Sequence, residues 1–108
     1  MLLGRKNQDT GYILENIVYL ELLRRNFEVF VGKVDNAEVD FVAVTPKGTT
    51  YIQVSASVRD HSTRERELSS LRSINDHYPK LLLTLDDDPV EDYDGITKLN
   101  ALDWLVDK

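Results

Sequence analysis

The sequence predicts an α/β domain in which a mixed sheet lies between helices, and three observations carry that expectation. A long helix with many apolar positions opens the chain. Three strand-like runs separated by turn residues follow. A second helix then leads into a continuous apolar run, Leu81-Leu82-Leu83-Thr84-Leu85, of the length and character of a strand covered on both faces. A strand, a crossover helix and another strand imply a parallel pair with a right-handed connection.

Residues 1 to 8 are polar and aperiodic and read as a leader. From Asp9 or Thr10 a helix is expected, with Tyr12, Ile13, Leu14, Ile17, Val18, Tyr19, Leu20, Leu22 and Leu23 along it. These are too many for one narrow stripe, so the helix should be mostly buried. Arg24 and Arg25 suit its C-terminal end, and Asn26 can take the left-handed stop conformation. The strand-like runs are Phe27 to Val34, Glu38 to Val44 and Thr50 to Ala56. Turn chemistry at Asp35-Asn36 and at Thr45-Pro46-Lys47-Gly48 makes them an antiparallel meander. Ser62 and Glu65 match a capping box for the second helix, whose Leu68, Leu71 and Ile74 recur at helical spacing. After the Lys80 to Leu85 strand, residues 86–95 form an acidic linker. A short extended piece follows at Ile96 to Leu99, and Asn100 caps a last short helix docked by Leu102, Trp104 and Leu105.

With 108 residues the chain makes one domain, 1–108, with a single core. It has no cysteine, so it carries neither disulfides nor thiolate metal sites. No apolar run approaches the roughly 20 residues of a membrane helix. The expectation is a soluble, cytoplasmic protein without a membrane partner. The net charge of −6 comes from one segment: residues 1 to 85 hold 11 basic and 11 acidic side chains, whereas residues 86 to 108 hold 2 and 8. Global charge therefore does not exclude a local basic face.

Glu15 has Tyr12, Val18, Tyr19 and Leu22 for helical neighbours. A carboxylate there needs a polar site, a metal or a backbone donor, unless it reaches water at the rim. Glu21, with Arg24 and Arg25 close by, reads as an ordinary ion pair. Asp40 lies mid-strand, where Asp is disfavoured. Strict alternation puts Val39, Phe41 and Ala43 on one face and Glu38, Asp40, Val42 and Val44 on the other. On the next strand Tyr51, Gln53 and Ser55 share a face, and the hairpin brings Gln53 level with Asp40. Arg59, Arg64, Arg66 and Arg72 could offer a phosphate-binding face, but interleaved acids favour ion pairing on a solvated helix. His61 and His77 lack ligand spacing, and Asp86-Asp87-Asp88 lacks the glycine and distal Glu of a calcium loop.

The order of elements, with Glu15, Glu38-Val39-Asp40-Phe41-Val42 and Gln53-Val54-Ser55, resembles the PD-(D/E)XK restriction-endonuclease-like fold, an α-β-β-β-α-β core with a mixed sheet. More closely, Gly11 to Arg25, Ile52-Gln53-Val54-Ser55 and Tyr78-Pro79-Lys80 resemble an uncharacterised domain found C-terminal to AAA-type ATPases in bacteria and archaea. The resemblance runs from about Asp9 to Leu105. It implies an attached ATPase domain as partner, with this chain as the C-terminal part of the larger protein.

It also implies Glu15 as the helix acid and Asp40 as the strand acid, with Gln53 where the motif wants Glu and Ser55 where it wants Lys. Hard cations prefer charged oxygens, and Ser supplies no cation for developing charge. The expectation is a degenerate, non-catalytic domain that binds nucleic acid or protein and requires no cofactor. One alternative is a Mg- or Mn-dependent DNA endonuclease with Glu15, Asp40 and Gln53 as metal ligands and Lys80 as a migrated lysine, although a strand-start lysine facing water is the simpler reading of Lys80. Another is an oligomerisation or protein-interaction module, with a second copy as partner.

Overall fold

The computed structural model describes residues 6–34 and 37–106; the Asp35-Asn36 turn and the first five residues of the expected leader lie outside them. Helix α1 (Lys6–Arg24) is followed by strands β1 (Glu28–Val34), β2 (Ala37–Thr45) and β3 (Gly48–Val54). Next come helix α2 (His61–Arg72), strands β4 (Lys80–Thr84), β5 (Glu91–Tyr93) and β6 (Ile96–Asn100), and helix α3 (Ala101–Val106). The six strands form one sheet in the order β1-β2-β3-β4-β6-β5. The β1-β2-β3 meander is antiparallel, and β4 runs parallel to both β3 and β6. The expected mixed sheet between helices is therefore present. Among the described residues no helix is long and apolar enough to cross a membrane.

Alternation divides the core in two. Ile52, Val54 and Leu83 meet Leu14, Val18 and Leu22 of α1 and Ala101 and Trp104 of α3 on one face. Tyr51 and Leu82 meet Leu68 and Leu71 of α2, and Ile74 just beyond its end, on the other. Each fully buried Leu of this set contributes roughly 1.5–3 kcal/mol of transfer free energy.

Five expectations are corrected. Helix α1 is already helical at Lys6, ahead of the expected Asp9 or Thr10, and is not mostly buried: the sheet buries the row Leu14, Val18 and Leu22, while Tyr12, Ile13, Ile17, Leu20 and Leu23 are exposed. Helix α2 is capped by Asp60, whose Oδ2 accepts from the Thr63 N–H at 3.0 Å, and Ser62 merely donates to that carboxylate. The acidic segment is no plain linker. Asp94 and Gly95 both take positive φ, as a two-residue hairpin turn requires, and pair β5 with β6. Within it Asp86 is buried, accepting from Ser57 Oγ and the Val58 N–H. In α3, Leu102 is exposed while Ala101 and Trp104 dock. Asn26 does adopt the left-handed stop, with φ of 67°.

The fifth correction sits in β2. Phe30 pairs with Val42 but Gly32 pairs with Val39, so Asp40 and Phe41 together stand opposite Val31. This extra residue is a bulge, and it reverses the alternation. Val39 consequently joins the α2 side of the core, whereas Phe41 and Ala43 join the α1 side.

Candidate functional site

The bulge falls where β2 and β3 separate. Their pairing runs from Thr45 with Gly48 to Phe41 with Ile52 and stops there. One step further, Asp40 and Gln53 would face each other in the ladder, and their side chains take over the missing bonds. The Asp40 N–H donates to Gln53 Oε1 at 2.7 Å, and the Val54 N–H donates to Asp40 Oδ2 at 2.8 Å. Gln53 then donates through Nε2 to Glu67 Oε1 of α2 at 3.2 Å. Both ends of the amide are therefore engaged with protein, and Gln53 is buried.

These residues form the floor of an open groove of about 750 Å3. Helix α1 supplies one wall with Tyr12, Glu15, Asn16 and Tyr19, and β1 supplies the other with Val31, Gly32 and Lys33. Arg66, Glu67 and Ser70 of α2 close it. The Tyr19 ring stacks on Phe41, with centroids 6.0 Å apart.

Four carboxyl groups line this groove, those of Glu15, Glu38, Asp40 and Glu67, and Asp40, Glu15 and Glu67 are held above the usual carboxylate range. Burial raises Asp40, partly offset by the Val54 N–H. Burial raises Glu15, and the Asp40 charge raises it further. Glu67 is raised by burial first and then by Asp40, with Arg66 opposing and Glu15 adding to the shift. Glu67 was not singled out in the sequence, yet its signal was there: Arg64, Glu67, Leu68 and Leu71 share the helical face that meets the sheet.

The structure thus gathers Glu15, Asp40 and Gln53 around one groove. Ser55 lies just past β3, lining an adjoining depression that Glu15 also reaches, and its hydroxyl donates to the Ser57 carbonyl at 3.0 Å. Lys80 is elsewhere, and it is buried and not facing water. Its ammonium is held by Asp76 Oδ1 and by the carbonyls of Asp76 and Tyr78, above the Tyr51 ring. Arg59 pairs with Asp86 and Asp88, Arg66 with Glu67, and Arg72 with Glu65 and Asp94, while Arg64 meets the His61 ring at 2.9 Å.

A divalent ion would need several carboxylate oxygens converging on one point. Among the described residues, no three His, Asp or Glu side chains do so. Gln53 directs its oxygen at a backbone N–H, so the set as arranged does not fit a metal ion. What the groove does offer is a buried, mildly acidic floor with aromatic walls.

No family model and no solved structure matches the chain. The chain is similar to an uncharacterised protein of Haemophilus influenzae, 36% identical over 104 residues, which covers 96% of this chain and 25% of that protein. The chain spans about a quarter of the length of this relative.

Proposed function

We propose that this chain is a non-catalytic accessory domain of the PD-(D/E)XK nuclease-like type, attached to an AAA-type ATPase and serving it by binding a partner. The observation that carries this reading is the hydrogen bonding of Gln53. The position that would hold the second acid carries an amide whose oxygen and nitrogen both secure the parted strands and α2. The position of the lysine carries Ser55, turned to a local carbonyl. The site keeps the outline of a nuclease centre while its side chains perform structural work.

Protein is favoured over nucleic acid as the partner. The groove floor is acidic, and Arg59, Arg66 and Arg72 of the α2 region are paired with carboxylates, which leaves less positive charge to replace counterions on a phosphate backbone. The relative's fourfold greater length supports the accessory role, since the homologous segment there belongs to a larger protein.

Titration of Mg2+ and Mn2+ into the chain and into Asp40→Asn tests the reading, alongside cleavage assays on single-stranded, double-stranded and branched DNA. The expected result is no Asp40-dependent metal affinity and no cleavage. Cleavage that Asp40→Asn abolishes would establish a metal-dependent endonuclease instead.

A further inference from the structure

Helix α1 buries the row Leu14, Val18 and Leu22 against the sheet, with Tyr19 stacked on Phe41 beside it, and leaves the opposite apolar side uncovered. Successive residues turn by about 100°, so Ile13, Asn16, Leu20 and Leu23 fall along one line opposite the buried row, flanked by Tyr12 and Ile17. Tyr12 is 70% exposed, Ile13 60% and Leu20 62%. A helix that is apolar on nearly every side is one covered from two directions. The steps of three, four and three residues are those of a seam along which two helices interlock.

Three properties of the seam fit a second copy of this chain. The first is charge: between Tyr12 and Leu23 the only ionisable acids are Glu15 and Glu21. Glu15 lines the groove, and Glu21 accepts from Arg24 and Arg25. Two copies therefore meet there without opposing like charges, although each chain carries −6. The second is Asn16, a lone amide in the apolar line, which both donates and accepts and so complements itself across a two-fold axis. The third is area. A standard interface buries roughly 800 Å2 per partner, and five large side chains exposed by between 41% and 70% present an area of that order.

We propose that a second copy docks on this face, α1 against α1 across a two-fold axis that passes near Asn16. The inference rests on the exposure of α1 and is independent of the nuclease-like reading of the groove. Sedimentation across a nanomolar to high-micromolar series tests it. The expected result is a dimer whose dissociation constant rises about thirtyfold or more in Leu20→Glu or Ile13→Glu, since each puts a charge into the seam. Both positions are exposed in the monomer, so helical circular dichroism stays unchanged. Val31→Glu, on the exposed edge strand β1, leaves the dimer intact. Because the chain has no cysteine, Asn16→Cys forms a disulfide-linked dimer on mild oxidation.

A chain that stays monomeric throughout the series overturns the proposal, and the face then belongs to a different partner, such as further polypeptide in a protein of the relative's length. A dimer lost in Val31→Glu but kept in both α1 variants overturns it in favour of the sheet edge. A dimer that never cross-links through Asn16→Cys overturns the placement of the axis. Should one glutamate variant lose its helical signal, the other and the cysteine cross-link decide.

Discussion

Replacing Gln53 by Glu keeps an oxygen for the Asp40 N–H but exchanges the donor that reaches Glu67 for an anion 3.2 Å from it. With Asp40 also adjacent, Gln53→Glu should destabilise the metal-free protein by about 1–3 kcal/mol, measured by urea unfolding. Recovery of that loss on adding Mn2+ would show that the groove regains a cation site once the acid returns. Glu67→Gln runs the other way. An acid whose native pKa is raised binds protons more readily folded than unfolded, so its contribution to stability falls as pH rises from the ordinary carboxylate range through the raised value. The variant should be more stable than the parent at neutral pH, and the gain should vanish below roughly pH 4; unfolding curves at several pH values check this. Glu15, Asp40 and Gln53 were legible in the sequence because polar side chains stood in apolar company. Glu67 was not, because its neighbours Arg64 and Arg66 made it look like half of a solvated ion pair.

Among the elements, β1 and β2 carry the bulge that turns Asp40 toward the divide between the strands. Gly32, next to the bulge, has φ of 133°, a conformation that side chains rarely adopt, and nothing lies within 4 Å of where its Cβ would be. Gly32→Ala should therefore cost about 1–3 kcal/mol through backbone strain alone, with no steric clash to relieve. Thermal unfolding measures the loss, and a neutral result would show that the bulge relaxes. Strand alternation could not foresee the bulge, since Glu38 to Val44 reads as a regular strand and the extra residue is set by how β1 and β3 each pair with β2. The meander and the parallel β3-α2-β4 unit were legible, because turn residues and apolar runs mark them locally. The β5-β6 hairpin was missed: its one local signal, Asp94-Gly95, stands among so many acids that the segment reads as a linker.

In the whole molecule, part of the acidic segment that supplies the net charge is folded back onto the domain, through Asp86, Asp88 and Glu91. Lys98, buried in the sheet, meets Glu91 at 2.9 Å and Asp88 at 3.6 Å. Burial pulls its pKa down, but the hydrogen bond and charge of Glu91, with Tyr93 and Asp88, more than offset this and hold it above the ordinary lysine value. Stability from this cation is complete below the ordinary lysine range and lost as pH rises through the raised value. Lys98→Ala should cost about 1–3 kcal/mol and release β5, seen as faster amide exchange at residues 91 to 93. Wild-type protection there in the variant would contradict this role. The long-range part of the architecture, with a buried lysine anchoring the acidic segment, was beyond local pattern because its partners come from a neighbouring strand and the turn before it.

The separation of β2 from β3 also equips the molecule with its own reporter. The amide protons of Asp40 and Val54 are guarded by side chains and not by a strand partner. Their exchange with solvent deuterium therefore tracks the rotamers of Gln53 and Asp40. A ligand that drew the Asp40 carboxylate into the groove would expose the Val54 proton while the Ile52 amide, inside the regular ladder, kept its protection. The contrast between those two protons distinguishes an occupied groove from an idle one without any assay of activity.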